Sequence, residues 1–128
     1  MKTALFPLQV AIYNRLKSNS SLTVYDAVPE GAAFPYVSIG EDTVVDDGNK
    51  TEDGEEITHT LHVYSSYNGR KEVKEIMSKV LETLTNEPLS LGSGFFMESF
   101  TLDMMQVLET SGTPLKHGVL RFRAKITQ

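Results

Sequence analysis

The sequence predicts an α+β domain: an antiparallel sheet of four to five strands with two helices packed on one face. Three observations carry this expectation. Two stretches repeat apolar residues at helical spacing, and several others alternate apolar and polar residues with period two. These stretches follow the order α-β-β-β-α-β-β, with hairpin-like links between neighbouring strands. The clearest strand closes the chain: Leu120, Phe122, Ala124 and Ile126 share one parity, and Arg121, Arg123 and Lys125 share the other. No linker divides the 128 residues. A single domain of that size buries roughly two-thirds of its unfolded surface.

The first helix is carried by Leu5, Leu8, Ile12 and Leu16, with Val10, Ala11 and Tyr13 widening the stripe. Thr3 is the expected cap, and Pro7 fits only within a first turn, so the start falls between residues 3 and 6. The polar run 18–21 ends the helix. Residues 22–28 then form a short extended piece and residues 29–31 turn the chain. Pro35, which has no N–H, suits the first position of the strand that follows. A strand is expected over residues 57–65, because Ile57, His59, Leu61, Val63 and Ser65 alternate with Thr58, Thr60, His62 and Tyr64. Asn68 and Gly69 open a second helix. Its apolar face is Val73, Ile76, Met77, Val80, Leu81 and Leu84, and its other side is charged. After a loop with Pro88, Gly92 and Gly94, a long strand places Phe96, Phe100, Leu102, Met104 and Leu108 on one parity. That exposes Phe95, Met97, Met105 and Val107 on the other. Residues 111–114 turn into the closing strand.

Charge is concentrated in one place. Residues 41–56 hold eight acidic side chains and one base, Lys50; setting this net −7 against the chain's −5 leaves the other 112 residues at about +2. The segment contains Gly48 and Gly54 and only the apolar pair Val44 and Val45, too little to bury. Residues 41–56 are therefore expected to be a flexible acidic loop pushed outward by its own charge. A solvated hairpin tip is the plainer reading of the same residues.

The chemistry-bearing residues do not converge. There are no cysteines, which removes disulfides and thiolate metal sites. His59 and His62 stand three apart on a strand, hence on opposite faces, and cannot share a metal. His117 has no evident partner. The series from Asp47 to Asp53 has Glu52 where a calcium loop needs glycine. Gly92, Ser93 and Gly94 lack the lysine and helix of a phosphate loop. No serine has the context of a strained nucleophile. No catalytic, cofactor-binding or metal residues are expected. The opening MKTALFPLQVAIYNRLK lacks a long apolar core and a cleavage site, so it is not read as a signal peptide, and no run reaches the ~20 residues of a membrane span. The expectation is a protein made in the cytoplasm.

Two features favour assembly. The last two strands are long for so small a body, and long strands with open edges attract partners. A sheet covered by helices on one side also leaves its other face bare. Arg121, Arg123 and Lys125, with Met97 and Met105, are the expected subunit or partner interface.

The order of pieces resembles the tail-completion (tail-to-head joining) proteins of long-tailed bacteriophages and prophages. The resemblance runs through the helix at 8–16, then Val24, Tyr25 and Asp26, then Phe34, Pro35, Tyr36 and Val37 entering a strand. A polar loop, the strand end Leu61-His62-Val63-Tyr64-Ser65, a glycine-led helix at 69–84, Leu89-Ser90-Leu91 and two closing strands complete it. The resemblance implies a non-enzymatic virion protein without cofactors, made in the bacterial host and residing in the virion tail. It implies a homo-oligomeric, hexameric ring at the head-proximal end of the tail tube, ending tube assembly. Its neighbours would be the major tail tube protein and the head-completion or connector protein. DNA would pass through without specific binding. In such a ring Asp42, Asp46, Asp47, Glu52, Asp53, Glu55 and Glu56 are the candidates to face the lumen and repel phosphates. A small non-catalytic adaptor or assembly chaperone, binding through the exposed sheet face, is the alternative; it would be monomeric or dimeric.

Overall fold

A computed structural model describes residues 1–92 and 94–128. Ser93, part of the segment weighed above as a phosphate loop, lies outside them. The elements are α1 (Leu5–Lys17), β1 (Val24–Tyr25), β2 (Tyr36–Asp46), β3 (Gly54–Ser65), α2 (Lys71–Thr85), β4 (Phe96–Glu109) and β5 (Lys116–Thr127). The predicted α+β class and element order are observed. The sheet has five strands in the order β1-β2-β3-β5-β4. It is mixed, because β1 pairs parallel to β2 while the other pairs are antiparallel. A parallel neighbour needs a connection longer than a hairpin turn, and residues 26–35 supply it.

The core joins Leu8, Ile12 and Leu16 of α1, Val73, Met77, Val80 and Leu84 of α2, and Ile57, Leu61, Val63, Leu120, Phe122 and Ile126 of the sheet in one cluster. Gly118 lies against α2, where a Cβ would come within 2.6 Å of the Met77 sulfur. Glu55, whose partner Ile126 has the same parity as Gly118, contacts the start of α1. Both helices therefore touch the same side-chain set of the sheet.

β4 departs from its predicted parity. Its register against β5 shifts between Met97 and Ser99 and again between Leu102 and Met104. Each shift adds one unpaired residue, Glu98 and then Asp103, and each extra residue turns the following side chains over. Phe100 and Leu102 do face the core side, opposite Ala124 and Phe122, but Met97, Met105 and Val107 join them opposite Ile126, Leu120 and Gly118. Phe95, Met97 and Val107, expected to be exposed, pack against the core. Phe96 and Leu108 are exposed instead. No helix among the described residues is long and apolar enough to cross a membrane.

Candidate functional site

The acidic segment is mostly hairpin. β2 runs through Asp46 and β3 begins at Gly54, so only residues 47–53 form the connection. The expectation of a loop over 41–56 is corrected on this point. Paired backbones order the flanks, which the segment's composition alone could not do. The connection is itself turned. Asp46 Oδ1 accepts the Gly48 N–H at 3.0 Å, Asn49 Oδ1 accepts the Thr51 N–H at 2.9 Å, and the Asp47 N–H donates to the Gly54 carbonyl at 2.9 Å. Such short side-chain-to-backbone bonds shape Asx turns.

The carboxylates fall into two groups. Glu55 is buried and points under α1: its Oε1 accepts the Ala4 N–H at 2.6 Å and the Thr3 hydroxyl at 3.2 Å. The free donors at a helix N-terminus need such an acceptor and favour a negative charge. Thr3, the expected cap, passes one bond further by accepting the Leu5 N–H at 3.2 Å, and the helix starts after Ala4. Asp42 pairs with the buried His59 across the β2–β3 ladder. Glu56 accepts from Arg123 at 2.8 Å. These three acids hold the fold. Asp46, Asp47, Glu52 and Asp53 are exposed at the tip with Lys50. Of the seven residues named as lumen-facing, these four have side chains open to solvent.

The basic stripe is also partly spoken for. Arg121 Nε and Arg123 Nη2 donate to the two oxygens of Asp103, each at 2.8 Å, and these bonds hold the Asp103 carboxyl below the usual carboxylate range. Asp103 reaches both because it is the extra residue of the second bulge. Lys125 is exposed and forms no ion pair among the described residues. Of the two methionines assigned to the interface, Met97 packs inward and Met105 is exposed beside α2.

His117, for which the sequence suggests no partner, has one. His62 Nδ1 and His117 Nε2 are 2.7 Å apart on the open face, and His62 Nε2 is 2.8 Å from Glu41 Oε1. A carboxylate only accepts, so His62 donates from Nε2 to Glu41, and in its neutral form its Nδ1 accepts from His117. Gly40 makes room: a Cβ there would sit 2.6 Å from the His62 ring. Tyr64 stacks on His117, with ring centroids 4.6 Å apart, and Tyr36, Phe34 and Tyr25 continue the aromatic row. Burial, then the neighbouring His62, lowers the His117 pKa; burial, then Tyr36, raises that of Tyr64. His59 and His62 lie on opposite faces, as their spacing required. No group of three or more histidine, aspartate or glutamate side chains among the described residues is arranged to hold a metal ion. No segment of the sequence marks the His62–His117 pair, since 55 residues separate its members.

A family model described as "Tail completion protein gp17" matches residues 10–127. The tail completion protein gp17 of Bacillus phage SPP1 is 32% identical over 130 aligned positions, spanning 98% of this chain and 96% of that protein. Among solved structures, a chain in the virion of a native gene transfer agent particle superposes with a TM-score of 0.85 at 26% identity, over 94% of this chain and 95% of that one. The structure of SPP1 gp17 superposes with a TM-score of 0.62 at 30% identity, over 91% and 86%. The chain belongs to the tail completion protein gp17 family.

Proposed function

We propose that this chain is a structural, non-enzymatic protein of the virion tail that completes the tail and joins it to the head. The observation that carries the reading is the full-length match to a tail completion protein, together with the likeness to a chain of an assembled gene transfer agent virion. The finer reading is a hexameric ring at the head-proximal end of the tube, which ends tube growth and offers its far side to the head connector. The open sheet face with Arg121, Arg123 and Lys125, and the exposed Met105 beside α2, are the surfaces offered to a neighbouring subunit or to the tube protein.

Asp46, Asp47, Glu52 and Asp53 form the channel-side collar. Phosphates repelled by the collar slide rather than bind. Counterions confine its field to about 8–10 Å at ordinary salt, so it acts only on DNA that passes close by. Negative-stain microscopy of the protein added to purified tail tubes tests the reading. A ring at one tube end, with tube length no longer increasing, is the expected image; unmodified tube ends at saturating protein would overturn it.

A further inference from the structure

Two unpartnered features stand on opposite flanks of the subunit at the same height. Phe96 opens β4 and is 66% exposed. It pairs with Thr127, which shares parity with Arg121, Arg123 and Lys125, so its ring stands on the open face of the sheet. On the other flank, α1 turns Phe6, 70% exposed, and Val10 outward. Beside them is a hollow of about 570 Å³ whose lining includes Pro7, Ala11, Arg15, Leu89 and Leu91. α1 differs here from α2, whose outward residues are charged; a helix that is apolar on both sides is one that expects a second cover.

The heights follow from register. Gly54 pairs with Thr127, which also pairs with Phe96, while the adjacent Glu55 holds the Ala4 N–H just before α1. Phe96 and the first turn of α1 thus both lie at the hairpin end, one in front of the sheet and the other behind it.

Resting on the ring reading above, we infer that Phe96 of one copy inserts into the hollow between α1 and residues 89–91 of the next copy. A ring of identical subunits is built from such a front-to-back contact, in which each copy presents two different patches that fit one another. A buried aromatic anchor seated in a pocket is the usual centre of binding energy. Charge agrees: the exposed Glu98 stands two residues from Phe96, whereas α1 contains no acidic residue and Arg15 lines the hollow. The bulge at Glu98 also bends this end of the edge strand, which opposes the alternative of strand-to-strand pairing along β4.

The chain has no cysteine, so introduced thiols are unique reporters. A Thr127→Cys protein, whose thiol stands beside the retained Phe96 ring on the open face, mixed with a Val10→Cys protein, assembled on tail tubes and treated with a short thiol cross-linker, should give a covalent dimer that neither variant gives alone. Phe96→Asp should keep the thermal midpoint of the monomer and lower ring occupancy on tubes by roughly tenfold or more. Rings of wild-type protein without the mixed dimer would overturn this contact and leave the ring reading standing. A Thr127→Cys dimer formed alone would mean a face-to-face contact, and normal tube binding by Phe96→Asp would mean that the hollow serves another partner; either overturns the proposal. If wild-type protein forms no rings, the ring reading fails by itself, and the same mixture in concentrated solution decides the contact: a mixed dimer supports it, none overturns it.

Discussion

Glu55 shows how one residue changes meaning once it is placed. In the sequence it is one more charge in an acidic run; in the fold it accepts the N–H of Ala4, just before α1 and 51 residues away in the chain. Glu55→Ala leaves that buried N–H without a partner and should cost about 1–3 kcal/mol in urea titrations, whereas Glu55→Gln keeps an acceptor and should lose less. His117 adds a pH dependence. Its pKa is lowered in the fold by burial and by His62, so the unfolded chain binds its proton first as pH falls. The stabilising contribution of neutral His117 is present above the unfolded value of about 6.5 and fades as pH drops through it. Glu41, lowered by a backbone hydrogen bond and by His62, and Asp103, lowered by Arg121 and then Arg123, act in a separate window below about 4. Denaturant midpoints between pH 5 and 7.5 should fall on the acid side and flatten in His117→Gln. An unchanged slope in the variant would assign the dependence to other groups.

At the level of elements, the helices were legible and β4 was not. The apolar spacing of α1 and α2 named residues that the structure buries: Leu8, Ile12 and Leu16 on one, Val73, Met77, Val80 and Leu84 on the other. Leu16→Ala should therefore cost about 2–5 kcal/mol. Ile76 only packs at the margin of the core, so Ile76→Ala should lose less, and Glu75→Ala and Lys79→Ala should stay within about 0.5 kcal/mol. Equal losses across the four variants would mean that the helices do not pack as described. β4 misled because helical periodicity tolerates a misplaced residue, while period two does not. One inserted residue exchanges core face for solvent face, and neither Glu98 nor Asp103 announces itself as a bulge.

For the whole molecule, the hairpin separates the anchoring carboxylates from those of the proposed collar. Asp42, Glu55 and Glu56 tie its base to His59, α1 and Arg123, so the tip can be altered without touching the core. Replacing residues 47–53 by a Gly-Asn turn should leave the thermal midpoint within a few degrees and impair tail joining or DNA passage. A drop of ten degrees or more would show that the tip is packed and would remove its role as a channel collar. The notion of a long disordered loop came from composition, which does not register that both flanks pair with neighbouring strands.

Composition and periodicity by themselves determined the α+β class, both helices, the strand order along the chain, the inward face of β5, and the separation of His59 from His62. These are local properties: each depends on residues within a turn or two of one another, where spacing alone selects the buried side. Only the tertiary structure decided that β1 lies parallel to β2, that two bulges reverse the ends of β4, that Glu55 caps a helix 51 residues away, and that His117 meets His62. Each of these is a contact between distant segments, set by which strands pair and in what register. Side-chain types carry no record of a partner that the chain meets only after it has folded.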